Sequence, residues 1–152
     1  NPLVIYKFRN QYAVSEAQAR DIFTETKKWL WFCARLERQQ RTLPNGLRMR
    51  APVIHVNKVI IDEMWHVFIL FMRDYQRFCE EYLGGILYHS PGSPLYEEMD
   101  EDETRAQLEC ISEELGDETL RKWYVEYGET YSPANLLALL KPPVFGRPPE
   151  AL

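Results

Sequence analysis

The chain has 152 residues, 45% hydrophobic and 13% aromatic, with a formal net charge of -5 at pH 7. This size and composition predict one soluble domain with a buried core. The acidic balance argues against a nucleic-acid binder, because phosphate neutralisation requires a basic surface. The longest apolar run is shorter than the roughly 20 residues of a membrane span, so we expect no membrane insertion and a cytoplasmic location.

The amino-terminal third predicts an extended segment followed by a helix. We expect residues 1–14 to be extended and the helical domain to cover residues 15–140. Ser15 and Gln18 have the spacing of a capping box, in which each side chain accepts a hydrogen bond from the other residue's backbone N–H. Apolar residues at helical spacing continue this helix toward Gln40, before a turn at Pro44-Asn45-Gly46.

A second and longer helix is predicted from about Asn57 to Tyr82, with Gly84-Gly85 as its carboxy-terminal stop. At about 100° per residue, its core face collects ten residues: Ile60, Met64, Val67, Phe68, Phe71, Met72, Tyr75, Phe78, Cys79 and Tyr82. His66 lies on the opposite side. We expect this helix to be the centre of the fold.

The remaining chain predicts shorter helices joined by turns. Helix signals cover Thr104 to Leu115, and Gly116 separates this helix from the next. Ser132-Pro133 predicts the start of a last helix, and residues 141–152 form a Pro-rich tail. The fold class predicted is therefore all-α: a small single-domain bundle of four to five helices around one long central helix.

The acidic run from Glu97 to Glu103 has two interpretations. Such a run is typical of a solvated loop or helix start. The alternative is an adaptor surface that docks a basic protein partner.

Asp62 and His66 predict a candidate site, because residues four apart share one helix face. Carboxylate and neutral imidazole suit zinc or iron, and three such ligands leave coordination positions open for water. His89 or His55 would supply the third ligand. An extended return from Gly84 to His89 covers at most ~17 Å, against ~25 Å of helix axis back to residue 66. His89 must therefore double straight back, whereas His55 reaches Asp62 more easily.

Three roles remain open for the Asp62 and His66 pair: a structural hydrogen bond, a metal site, or acid–base catalysis without metal. The leading functional prediction is a binding or interaction module with an Asp/His metal site. Its rival is a small metal-dependent enzyme using Asp62, His66 and His89, with Arg73 orienting an anion at an open coordination position.

The motif Ile61-Asp62-Glu63-Met64-Trp65-His66, followed by Arg73-Asp74-Tyr75 and by Gly85-Ile86-Leu87-Tyr88-His89-Ser90-Pro91, resembles the glycine-rich domain-containing protein-like family. The resemblance covers roughly residues 14 to 131 and is closest to small bacterial members. It implies a small helical domain. It also marks Asp62, Trp65, His66 and His89 as family-motif positions, with Arg73, Asp74 and Tyr75 beside them. Plant members often carry a second histidine two residues after the first, where this chain has Phe68.

Overall fold

The computed structural model describes residues 1–42, 52–54, 56–89 and 99–143. Within these ranges the regular structure is helical, which confirms the all-α class. The helices are α1 (Pro2–Gln11), α2 (Glu16–Thr42), α3 (Val59–Leu70), α4 (Met72–Phe78), α5 (Glu101–Leu115), α6 (Asp117–Arg121), α7 (Tyr127–Thr130) and α8 (Pro133–Leu139). A 3-10 turn at Val56–Lys58 precedes α3, and π-helical turns at Cys79–Leu83 and Lys122–Glu126 continue α4 and α6.

Three predicted features lie outside the described residues: the turn at residues 44–46, His55, and the tail beyond residue 143. Among the helices that are described, none combines the length and apolarity needed to cross a bilayer.

The first residues form a helix, so the predicted extended segment over residues 1–14 is wrong. Asn1 caps α1 by accepting a hydrogen bond from the Leu3 N–H at 3.0 Å, and Pro2 occupies the first helical turn. Val4, Ile5 and Phe8 are buried on the inner face. This helix packs against α2 and α3 and completes the core on that side.

The predicted capping box opens α2, whose first residues are held by reciprocal hydrogen bonds between Ser15 and Gln18 at 2.8 and 3.1 Å. With 27 residues, α2 is the longest helix of the described chain. Its Trp29, Leu30 and Phe32 are fully buried, and it packs against α1, α3 and α5. The longest helix of the described chain is therefore α2 rather than the predicted helix over residues 57–82.

The predicted helix from Asn57 to Tyr82 is broken at Phe71, whose φ of -91° and ψ of 58° leave the helical region. Neither proline nor glycine stands at the break, so the cause is tertiary. An unbroken helix would place about 15 Å of axis between residues 65 and 75. The break instead lets the Tyr75 hydroxyl lie 3.1 Å from Nε1 of Trp65. The predicted stop is confirmed, since Gly84 adopts a left-handed φ of 75°.

Capping residues also define the carboxy-terminal helices. Asp100 and Glu103 form a capping box at the start of α5, which gives part of the acidic run a structural role. Glu97 and Glu98 lie outside the described residues, so the adaptor interpretation stays a prediction. Ser132 caps α8 as predicted.

A buried carboxylate joins α2 to the π-helical turn that follows α6. Glu25 is 3% exposed and accepts hydrogen bonds from Nε1 of Trp123 at 2.8 Å and from Nζ of Lys28 at 2.9 Å. Nζ of Lys122 lies 3.3 Å from the same carboxylate. The charge of Glu25 is thus compensated in the interior.

Candidate metal centre

Two side chains of the candidate site project from α3. Asp62 and His66 are one turn apart, and Nε2 of His66 lies 3.6 Å from Oδ2 of Asp62. The His66 side chain is 48% exposed and that of Asp62 is 27% exposed. This part of α3 therefore borders solvent rather than lying inside the core.

His89 reaches the same carboxylate from a different segment of the chain. Its Nε2 lies 2.9 Å from Oδ1 of Asp62, and its side chain is only 12% exposed. Along one straight helix, His89 would have had to fold back over about 25 Å of helix axis to reach residue 66. The break at Phe71 removes this requirement, because α3 ends at Leu70. The chain turns back at Gly84 and Gly85 and returns to α3 without regular structure over residues 86–89.

The His89 ring is held between two other rings. Its centroid lies 4.2 Å from that of Trp65, in an edge-to-face arrangement, and 4.6 Å from that of His66. Trp65 is buried and supplies a fixed wall on the protein side. The second histidine thus has a defined position next to the first.

Tyr75 links Trp65 to the segment over residues 86–89. Its buried hydroxyl accepts a hydrogen bond from Nε1 of Trp65 at 3.1 Å and donates one to the Leu87 carbonyl oxygen at 2.5 Å. Burial raises the pKa of Tyr75 above its usual range. The hydroxyl therefore keeps its proton at neutral pH and remains a donor.

The three donor groups lie close enough together that they could hold one metal ion. One donor atom from each of Asp62, His66 and His89 can be chosen so that all lie within 4.8 Å of one another. Ligands about 2.1 Å from one ion lie about 3.0–3.5 Å apart in tetrahedral or octahedral geometry. Two observed separations are close to this range: 2.9 Å from Nε2 of His89 to Oδ1 of Asp62, and 3.6 Å from Nε2 of His66 to Oδ2 of Asp62. Two imidazoles and one carboxylate also form a donor set suited to zinc or iron(II).

Two other residues of the sequence motif, Arg73 and Asp74, are not part of the group of three possible metal ligands. Arg73 is exposed on α4, and within the described part of the chain no hydrogen bond or ion pair joins it to Asp62, His66 or His89. Asp74 accepts a hydrogen bond from the Asn1 side-chain amide at 2.6 Å, which ties α4 to the start of α1.

Sequence reasoning missed a buried lysine at the start of α3. Lys58 is fully buried, and its Nζ lies 4.5 Å from the centre of the Trp29 ring and 4.2 Å from that of Tyr124. It is hydrogen-bonded to the Tyr124 hydroxyl. Desolvation lowers the pKa of Lys58 to about 7. A lysine next to a helix start is typical of an exposed position, so the local pattern contained no signal of this burial.

Comparison with known proteins identifies one family. The family model described as UCP032817-like matches residues 2–124. The predicted membership of the glycine-rich domain-containing protein-like family is therefore wrong, because the family model that matches the chain is a different one. No curated protein and no solved structure shows significant similarity.

Proposed function

The chain belongs to the UCP032817-like family, and we propose that it is a metal-binding domain in which Asp62, His66 and His89 hold zinc or iron(II). The family description names no activity, so the proposal depends on the geometry of the site.

The observation that supports a metal is the convergence of two imidazoles on one carboxylate. A purely structural pair needs only His89, whose Nε2 is at hydrogen-bond distance from Asp62. His66 is different, because its Nε2 lies at 3.6 Å, too far for a good hydrogen bond, and its half-exposed ring can be solvated by water. A shared metal ion accounts for the orientation of both rings toward the same carboxylate.

The number of ligands favours an open coordination sphere. Structural zinc sites usually have four protein ligands, whereas catalytic sites have three and leave a position for water or substrate. Among the residues that the structure describes, three such side chains meet, and the His66 side chain is 48% exposed. This number of ligands supports a site with a coordination position open to water or substrate.

The chain's own residues would bind and orient the ion. Asp62 contributes one negative charge, which leaves a net charge of about +1 on a bound divalent ion and favours an anionic exogenous ligand. His89, packed against Trp65, fixes the protein side of the site, and His66 borders the open side. The bound ion would supply Lewis acidity and lower the pKa of a coordinated water.

Calorimetric titration with Zn²⁺ and Fe²⁺ tests this proposal on the full chain, purified without an affinity tag and stripped by a chelator. We expect one ion per chain, and a loss of affinity of more than about 100-fold in His66→Ala and in His89→Ala, since second-shell substitutions alone typically cost 10- to 100-fold. Leu70→Ala is the matched control, because Leu70 is exposed one turn beyond His66. Absence of binding in the parent protein, or equal affinity in His66→Ala, would reject the site.

A further inference from the structure

We propose that Tyr75 is the positioning residue of the metal site, because its hydroxyl holds the segment that carries His89 against α3. The inference rests on the function proposed above and extends it to a residue that does not contact the ion.

The segment that carries His89 is the irregular stretch over residues 86–89. It follows Gly84 and Gly85, which both have positive φ, and it has no regular structure. Tyr88 is 81% exposed, whereas Leu87 is buried with 3% exposure. Leu87 therefore holds this segment two residues before His89, through its buried side chain and through its carbonyl oxygen.

The Tyr75 hydroxyl is hydrogen-bonded to the backbone of Leu87. It donates to the Leu87 carbonyl at 2.5 Å and accepts from the Trp65 indole at 3.1 Å. Trp65 in turn packs against the His89 ring at 4.2 Å. One hydroxyl thus joins the backbone two residues before His89 to the ring that supports its imidazole.

The aromatic ring of Tyr75 has a separate role in packing. It lies edge-on to the Phe68 ring, with centroids 5.2 Å apart. Tyr75→Phe would retain this contact and remove only the hydroxyl. The Leu87 carbonyl and the Trp65 N–H would then lose a buried partner, which favours release of the segment from α3.

Zinc titration of the parent chain, Tyr75→Phe and Tyr82→Phe tests the inference. Tyr82 is an exposed tyrosine that also packs on a phenylalanine, so its substitution controls for loss of a hydroxyl. We expect Tyr75→Phe to bind zinc 10- to 100-fold more weakly, as for other residues that orient a ligand, and Tyr82→Phe to bind like the parent. The titrations are done at a temperature where circular dichroism shows all three proteins folded, since a purely structural role would lower the melting temperature without changing the affinity of the folded protein.

A second readout is the visible absorption of the Co²⁺-loaded protein, which we expect to change in Tyr75→Phe as the His89 nitrogen moves away from the ion. Should Tyr75→Phe not fold in buffer alone, all three proteins are compared in sucrose, which stabilises folded proteins because it is excluded from their surface. Unchanged affinity and spectrum in Tyr75→Phe, with zinc bound by the parent, would overturn the role of Tyr75 and leave the metal site standing. Absence of zinc binding by the parent would overturn both proposals.

Discussion

Replacement of Lys58 by methionine tests whether burial lowers the pKa of the Lys58 amine and makes the stability of the protein depend on pH. Lys58 lies between the Trp29 and Tyr124 rings, and the pKa of its amine falls from 10.5 to about 7 on folding because burial removes its hydration. Between these two values the unfolded chain binds a proton that the folded protein has released. The free energy of unfolding must therefore rise with pH across this window, by up to ~1.4 kcal/mol per unit.

The size of the effect follows from two opposing contributions. A lowering of about 3.5 units corresponds to about 5 kcal/mol over the whole window. Each aromatic face favours the charged amine, by about 1 kcal/mol. The difference, about 3 kcal/mol, spans the whole window, and about 2 kcal/mol of it falls between pH 7 and pH 10. We therefore expect the parent protein to gain about 2 kcal/mol between pH 7 and pH 10 relative to Lys58→Met, whose side chain has similar length and no charge.

Urea unfolding followed by tryptophan fluorescence, at half-unit steps from pH 7 to pH 10, measures this difference directly. Lys7→Met is the control, since Lys7 is exposed on α1. The free energy of unfolding of this variant should change with pH in parallel with that of the parent. Parallel curves for the parent and Lys58→Met would refute the reasoning, because they would mean that the amine keeps its proton in the folded protein.

Three further predictions concern stability and are measured by urea unfolding at pH 7. Glu25→Ala should cost about 3 kcal/mol or more, because it removes the buried carboxylate that accepts from Trp123 and compensates nearby lysines; a loss below about 1 kcal/mol would contradict this. Gly84→Ala should cost about 1–2 kcal/mol, since a φ of 75° is unfavourable with a Cβ, and an unchanged midpoint would be inconsistent with that conformation. Ser15→Ala should cost about 1 kcal/mol through loss of the cap that bonds Gln18, and no loss would show that the cap is dispensable.

Signals carried by neighbouring residues predicted much of the fold. Ser15 with Gln18, Ser132 with Pro133, and Gly84 each act within a few residues, and all three appear where the sequence indicated. Asn1-Pro2 is the same kind of signal as Ser132-Pro133, so α1 was predictable and was overlooked.

The candidate site was predictable only in part. The shared face of Asp62 and His66 follows from helical spacing, whereas the approach of His89 depends on the break at Phe71. That break is stabilised by contacts between residues far apart in the chain, such as Tyr75 with Leu87, and no local pattern marks it. The burial of Lys58 likewise depends on Trp29 and Tyr124, which come from other helices.

The proposed metal site is tested most directly by anomalous diffraction at the zinc absorption edge, from crystals of the full chain grown with equimolar Zn²⁺. We expect one strong peak at ligand distance from a carboxylate oxygen of Asp62 and from Nε2 of both His66 and His89. An ordered site with no peak, or a peak elsewhere with Asp62 and His89 still in direct contact, would contradict the account.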